Sequence, residues 1–458
     1  MDFNAKQYLI KLDALRAISG KGAAARRQEL IETFTQPEQS VTRAALDPTF
    51  TYYMAELPAR VAGGGDNLEF DQLMAVLLNL SSRQLTGHAA EAVVSALYNR
   101  LHPDDAEVLN RVITKNLKAG IGASAVNKVF PGLVTEFPYM RCSLPKDVKL
   151  ADWEWAEGII SQLKANGSFA RVSVPANGDG MVTTRQGNQY PPCAALSNLL
   201  EDAGWAAQGL PFEFHGELLV VGPVGVLPRS EGNGILNSLL SGGEMPAGHS
   251  IRMDVWDMIP LDQAVVGGKV DVPYGSRLAN LIRCVEGTSA QRTMQVIEHK
   301  LVYSWAEARA HALHFMKQGL EGTVIKRRSA PWRDGDSRDQ VKIKLEVDVD
   351  LRITGFNAGT TGTRTEHTFG SVQLESLCGK LKVSASGLKR DLELWLHENR
   401  DTAIGMIMAI RANEISPPCE TNGDWSLYHP RVIELRRDKD KADTLERIQA
   451  QFESAISA

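Results

Sequence analysis

The sequence predicts a multidomain α+β protein. An all-α N-terminal region covers residues 1–132, antiparallel sheets with helices fill 133–346, and a small β-barrel closes the chain over 347–458. Three observations predict this. At 458 residues the chain exceeds one ordinary core and suits about three domains of roughly 150 residues each. Apolar residues recur at helical spacing in the first part, and short β-rich runs dominate the rest. Hydrophobic residues make up 43% and charged residues 23%, a folded-protein mix that excludes wholesale disorder.

The N-terminus, MDFNAKQYLIKLDALRAI, sets charges among its apolar residues and reads as an amphipathic helix, not a signal peptide. Leu9, Leu12, Leu15 and Ile18 keep helical spacing, as do Leu73, Val76, Leu77 and Leu80. The glycine-rich run Ala62 to Asp66 breaks the helices. Pro131, Pro138 and Pro145 punctuate an extended connector that marks a boundary. Beyond it FARVSV, EFHGELLVV, IRMDVWDMI, EGTVIKRR and QVKIKLEVDV read as strands alternating with helices. VDLRITGF, GKLKVSA, TAIGMIMAI and RVIELR follow, with a final helix from Lys441 to about Ile456. Five or so strands in about 110 residues make an OB-fold the leading candidate.

No apolar run approaches the ~20 residues needed to span a bilayer. Cys142, Cys193, Cys284, Cys378 and Cys419 are scattered without a Cys-x-x-Cys pair. That argues against a zinc ribbon or a disulfide scaffold and fits a reducing cytoplasm. With a net charge of -5, any polyanion must be met by local basic patches. One such patch, Arg111 to Lys128, carries Arg111, Lys115, Lys118 and Lys128 and no acidic residue. Its Gly120-Ile121-Gly122 turn precedes a second helical run and can aim backbone N–H groups at a phosphate.

There is no Gly-x-x-x-x-Gly-Lys-Ser/Thr loop and no dinucleotide fingerprint after a strand. What stands out is an ordered set of lysines and carboxylates near strand ends. Lys164-Ala165-Asn166-Gly167 comes first, then His215-Gly216-Glu217-Leu218 and Trp256-Asp257. Glu321-Gly322-Thr323-Val324-Ile325-Lys326 and Lys342-Ile343-Lys344 complete it. A free lysine has a pKa of about 10.4, so only roughly one in 2,500 is neutral at pH 7. A nucleophilic Lys164 therefore needs burial or cationic neighbours. Lys342 and Lys344, two apart on a strand, point the same way and could both serve that end and hold a phosphate.

The order of these pieces resembles the covalent nucleotidyltransferases and, within them, the ATP-dependent DNA ligases of the type found in T-even bacteriophages. The resemblance covers nearly the whole chain. LTGHAA (Leu85–Ala90), NKVFPGL (Asn127–Leu133), QLKANG (Gln162–Gly167), NGI (Asn233–Ile235), VWDMIPL (Val255–Leu261), QGLEG (Gln318–Gly322), VDVDL (Val347–Leu351) and RRDKDKADT (Arg436–Thr444) carry it. It implies a helical DNA-binding domain, a nucleotidyltransferase domain with ATP-grasp-like antiparallel sheets, and a C-terminal OB-fold. It also implies ATP and Mg²⁺ as cofactors and nicked double-stranded DNA as substrate. A monomer away from membranes, in the cytoplasm of a bacterial or phage-infected cell, completes this expectation, with a sliding clamp as a candidate partner.

By resemblance Lys164 is the nucleophile that carries AMP. Gln162, Leu163, Arg185, Glu217, Trp256, Lys326, Lys342 and Lys344 surround the nucleotide. Trp256 faces adenine, and Arg185, in Thr184-Arg185-Gln186-Gly187, binds the 5′-phosphate or ribose. Glu217 and Glu321 take the metal. His429-Pro430-Arg431 and Arg436-Arg437-Asp438-Lys439 resemble the family's last motif, where Arg436 and Lys439 orient the pyrophosphate leaving group. Arg111, Lys115, Lys118, Lys128 and Arg171 are the expected DNA-binding residues.

The chain departs from the family's Lys-x-Asp-Gly-x-Arg, reading Lys164-Ala165-Asn166-Gly167-Ser168-Phe169. Asn166 keeps a carbonyl acceptor but loses the charge, and Phe169 cannot replace a guanidinium. Arg171 shares a strand face with Phe169 about 7 Å farther along, and could reach back to the phosphate or ribose. Three readings stand at this point. One is an active ligase. The second is a self-adenylylating nick- or end-binding protein that seals poorly, and the third an RNA ligase or capping enzyme.

Overall fold

The computed structural model describes residues 3–54, 57, 60–61, 64–361, 363–418 and 422–457, so Ala62, Gly63 and Cys419 lie outside it. Within these residues the protein is mixed α+β, as the periodicities predict, and divides into two compact units. The first comprises Met1–Arg141, Ala165–Ile297 and Arg328–Ser337; the second comprises Cys142–Lys164, Glu298–Arg327 and Arg338–Ala458. None of the described helices is long and apolar enough to cross a membrane.

The first unit opens with helices over Ala5–Ala17, Ala23–Glu32, Gln36–Leu46, Phe70–Ser81, Gly87–Arg100 and Pro103–Ile113. At three of these six starts the N-cap side chain, Asn4, Thr35 or His102, accepts from an orphan N–H group. Asn4 Oδ1 accepts from the Gln7 N–H at 2.9 Å. Thr35 and Glu38 form a reciprocal capping box. The expected stripes are buried: Leu9, Leu12 and Leu15 on the first helix, and Leu73, Leu77 and Leu80 on the fourth. They join Val108, Leu109 and Val112 in one core.

The same unit holds a sheet ordered Met181–Thr184, Ser168–Val174, Phe212–Gly222, Ser250–Pro260 and Met294–Val296. Its neighbours are antiparallel except the last pair. Period-two alternation sorts its faces. Ala170, Val172, Phe214, Leu218, Met253 and Val255 are buried, and the helices Ala194–Ala207 and Tyr274–Val285 pack on the sheet. Phe169, Arg171, Ser173, Glu213, His215 and Glu217 share the other face by register. Between Val255 and Asp257 the register slips by one, leaving Trp256 as the extra residue of a β-bulge.

In the second unit the strands Gly335–Lys344 (from Arg338 onward), Gly322–Lys326, Ile159–Leu163 and His299–Val302 lie side by side in that order, all antiparallel. The helix Trp305–Met316 covers one face, closing a core of Ile159, Val302, Ala308, Ala312, Ile325 and Val341. A second sheet runs Lys382–Ala385, Ser371–Glu375, Val347–Asn357, Ile407–Ala412 and Arg431–Arg436, all antiparallel. The final helix, Leu445–Ser457, sends Leu445, Ile448 and Phe452 into that sheet's core.

The expected C-terminal barrel needs correction, because among the described residues this sheet does not close. Its edge strands meet at a single parallel bridge, Ser386 with Arg431, where the Val432 N–H donates to Ser386 O at 3.1 Å. The four-residue strand Lys382–Ala385 leaves no ladder to run along Arg431–Arg436. The TAIGMIMAI run is also split: Arg400–Ala403 is a helical turn and the strand starts at Ile407.

Beside the bulge, Asp257 and Arg277 form a bidentate pair at 2.8 and 2.9 Å with both side chains buried. Truncating one partner of such a pair strands the other charge. Arg277→Met should therefore destabilise the protein by about 3–5 kcal/mol in urea denaturation. A loss below about 1 kcal/mol would show that the pair does not anchor this sheet.

Candidate active site

Register arranges the lysines of the second unit. Gln162, Val324 and Lys342 form one row across three strands. One step along, the Lys164 N–H donates to Gly322 O at 2.9 Å, and Gly322 pairs with Lys344. Alternation places Gln162, Lys164, Lys326, Lys342 and Lys344 on the face away from the helix-covered core, and Leu163 on the opposite face. Gly322 is required here: its φ is +122°, and a Cβ would come within 2.3 Å of Ile343 O. The Lys164 ammonium is paired with Glu321. Gln162 Nε2 is buried and has no hydrogen-bond partner, a donor suited to an acceptor brought by a ligand.

Burial holds the Lys344 ammonium below its ordinary value; Glu346 opposes this, while Arg431 and Lys342 add to it. Lys344 Nζ donates to Asn413 Oδ1 at 3.1 Å and lies 3.4 Å from Glu346, which also pairs with Arg431 at 2.7 Å. Farther along the C-terminal sheet, Arg436 pairs with Asp350 at 3.3 Å and with Asp438 at 2.8 Å, and Lys439 pairs with Asp350. These two cations and two carboxylates sum to zero formal charge. Sequence reasoning missed Asp350. The period-two signal was there, since Asp348 and Asp350 share a face and Asp348 sits opposite Arg411.

In the first unit Glu217 Oε1 accepts from the Gly167 N–H at 3.2 Å, and Phe169 is its cross-strand partner. Asn166 Oδ1 is buried and without a hydrogen-bond partner. Trp256 O accepts from the Tyr274 hydroxyl at 2.6 Å. The Phe169 ring meets Tyr139 edge-on at 4.7 Å and lies 5.9 Å from Trp256 and 6.0 Å from His215. The exposed Arg185 holds its guanidinium over Tyr139 at 4.3 Å. The turn carrying it needs Gly187, whose φ is +88° and whose Cβ position falls 1.9 Å from the Phe137 ring. Tyr139 was invisible as a site residue, because nothing local announces an aromatic brought in from a connector, while His215 stood in the His215–Leu218 run without a role of its own.

The expected DNA-contacting residues divide. Arg171 is fully buried, donates to Pro138 O and Thr184 O at 3.4 Å, and lies 4.5 Å from the Phe137 ring centre. Burial pushes its guanidinium down, against Glu213 and Asp334. Arg111 is buried and bonded to Glu107 at 2.9 Å and to Leu117 O at 3.1 Å. Lys115 donates to Asp47 O at 2.6 Å and Ala44 O at 3.1 Å, and burial pushes it down to about 8 against the pull of Asp47. Lys118 pairs with Glu107 at 3.0 Å, and Lys128 is exposed. Among the described residues no cluster of three or more His, Cys, Asp or Glu side chains could cage a metal ion.

No protein-family model matches the chain. Individual proteins do. The DNA ligases of Enterobacteria phages T6 and T4 are each 29% identical over 505 aligned positions, covering 96% of this chain and 98% of theirs. A DNA ligase of Methanospirillum hungatei is 28% identical across 43% of this chain and 38% of its own length. Among solved structures, Pmar-Lig_Pre superposes with a TM-score of 0.69 at 16% identity, covering 96% of this chain and 100% of that one, which shows a shared fold. The resemblance to phage DNA ligases read from the motifs is borne out along the chain.

The strand Ile159–Leu163, which leads into Lys164, is pinned from its covered face, where His311 Nδ1 and Ser161 Oγ lie 2.8 Å apart. Burial, then the charges of Lys300 and His314, push the His311 imidazole down to about 4. The unfolded chain takes that proton near the ordinary value of about 6.5. Stability should therefore be complete above about pH 6.5 and fall as pH drops through about 4. His311→Gln should flatten that part of the stability curve in urea titrations at stepped pH. An unchanged slope would show that the imidazole is not held neutral.

Proposed function

We infer that this chain is an ATP-dependent DNA ligase of the kind found in T-even bacteriophages, sealing nicks in duplex DNA. Similarity to two phage DNA ligases along 96% of the chain carries the reading. The row of Lys164, Gly322 and Lys344 supports it. In this reading residues 1–132 bind DNA, 133–346 adenylylate and 347–458 form an OB-type domain. The protein acts as a monomer in the cytoplasm of a bacterial cell, with a sliding clamp as a recruiting partner.

Sealing runs in three displacements at phosphorus. Lys164 Nζ, once deprotonated, attacks the α-phosphorus of ATP; a P–N bond forms and pyrophosphate leaves with the electron pair. The proton passes to solvent, and the Glu321 contact positions Nζ before the nucleotide binds. An oxygen of the nick's 5′-phosphate then attacks the AMP phosphorus, and the lysine leaves and regains a proton. Finally the 3′-hydroxyl attacks the activated 5′-phosphorus, AMP leaves and the phosphodiester is complete. Lys326, Lys342 and Lys344 supply positive charge to the phosphates through these steps.

Gln162 offers its buried orphan donor to the nucleotide, beside Leu163, and Asn166 offers its orphan acceptor to a sugar hydroxyl. Trp256 faces adenine, Glu217 the ribose and Arg185 the 5′-phosphate. Arg436 and Lys439 orient the departing pyrophosphate after releasing Asp350. Mg²⁺ takes one or two carboxylates and completes its shell with phosphate oxygens and water, so Glu217 and Glu321 are each a carboxylate that could hold it without a preformed cage. When bound, the ion neutralises triphosphate charge. Lys128 contacts the DNA backbone, while Arg111, Lys115, Lys118 and Arg171 shape the segments that meet it.

The test is sealing of a singly nicked duplex with ATP and Mg²⁺. The wild-type protein should join the strands, and Lys164→Ala should lower the rate by at least about 10³-fold while keeping its thermal transition. Joining by the variant at the wild-type rate would remove Lys164 from the mechanism. Adenylylated protein that never joins a nick would favour the self-adenylylating binder.

A further inference from the structure

We propose that Phe169 is a positioning residue whose ring holds Trp256 and the Tyr139–Arg185 stack in place, doing by packing a task for which the family resemblance places an arginine. The inference rests on the ligase reading and deepens it.

Three contacts connect the groups. Trp256 lies 5.9 Å from Phe169, Phe169 4.7 Å from Tyr139, and Tyr139 4.3 Å from the Arg185 guanidinium. Both ends of this chain need support. Trp256 is the extra residue of a bulge, so its backbone is held by its paired neighbours and by the Tyr274 hydroxyl, and its ring direction is left to packing. Arg185 is long and exposed on a turn, where a cation–π contact restricts an otherwise free side chain. Phe169 is the ring the two ends share.

A ring at 169 meets aromatic neighbours on two sides. Glu213, His215 and Glu217 line the same sheet face as Phe169, and Arg171 is already buried two positions along. A guanidinium at 169 would add a second arginine next to Arg171 and would have no edge-on geometry to offer Tyr139. An aromatic ring meets Tyr139 edge-on and Trp256 at a tilt without adding charge. In this chain, then, the phosphate-directed guanidinium is Arg185, aimed through Tyr139.

The test measures two Michaelis constants: for ATP in covalent self-adenylylation, and for nicked duplex in sealing. Phe169→Ala should raise both by about tenfold, the loss of two aromatic contacts, with kcat for each step within about threefold of wild type. Phe169→Tyr should restore both, and Phe169→Arg should not. A uniform loss in all parameters and in thermal stability would mean a merely structural ring and would overturn the proposal. Unchanged constants in Phe169→Ala, or faster sealing by Phe169→Arg, would overturn it as well. If the wild-type protein takes up no AMP, the ligase reading itself fails, an outcome distinct from all of these.

Discussion

The antiparallel register of three strands, Ile159–Leu163, Gly322–Lys326 and Gly335–Lys344, is the constraint on which the second unit depends. In a pleated sheet a slip of one residue would exchange the faces and bury every lysine of the set against the helix Trp305–Met316. The apolar face prevents that slip, because Ile159, Ile325 and Val341 must meet the helix. Hydrophobic burial thereby selects the face on which the lysines stand, Lys326 buried and the others partly exposed. Gly322 lets the chains approach closely where Lys164 and Lys344 share a row.

The first unit uses the same alternation differently. Its covered face is apolar, and its other face gathers carboxylates, a histidine and an aromatic cluster. There the bulge at Trp256 matters most, because it redirects one side chain without disturbing the rest of the ladder. The buried Asp257–Arg277 pair adjoins it in sequence, and the Phe169 ring packs 5.9 Å from the Trp256 ring.

Much of this was legible in the sequence, for physical reasons. The helical stripes of Leu9, Leu12, Leu15 and of Leu73, Leu77, Leu80 report burial directly, and period-two runs such as FARVSV and QVKIK report strands. Lys342 and Lys344 on one face follow from alternation alone. What stayed hidden depends on long-range pairing. A bulge needs its partner strand, and the Phe169 cluster needs Tyr139 from a distant connector. The basic count of segment 111–128 showed charge but not its partners, so Arg111, Lys115 and Lys118, bonded to Glu107 and to backbone carbonyls, were indistinguishable from exposed Lys128. The short edge strand that leaves the C-terminal sheet open was likewise invisible to a strand count.

On the basic face, we propose, register singles out one amine to carry adenylate. Peptide mapping by mass spectrometry after incubation with ATP and Mg²⁺ tests it most directly. One AMP adduct, stable to denaturant, is expected on the peptide containing Lys164. An adduct on Lys326, Lys342 or Lys344 instead, or no adduct on any peptide, would contradict it.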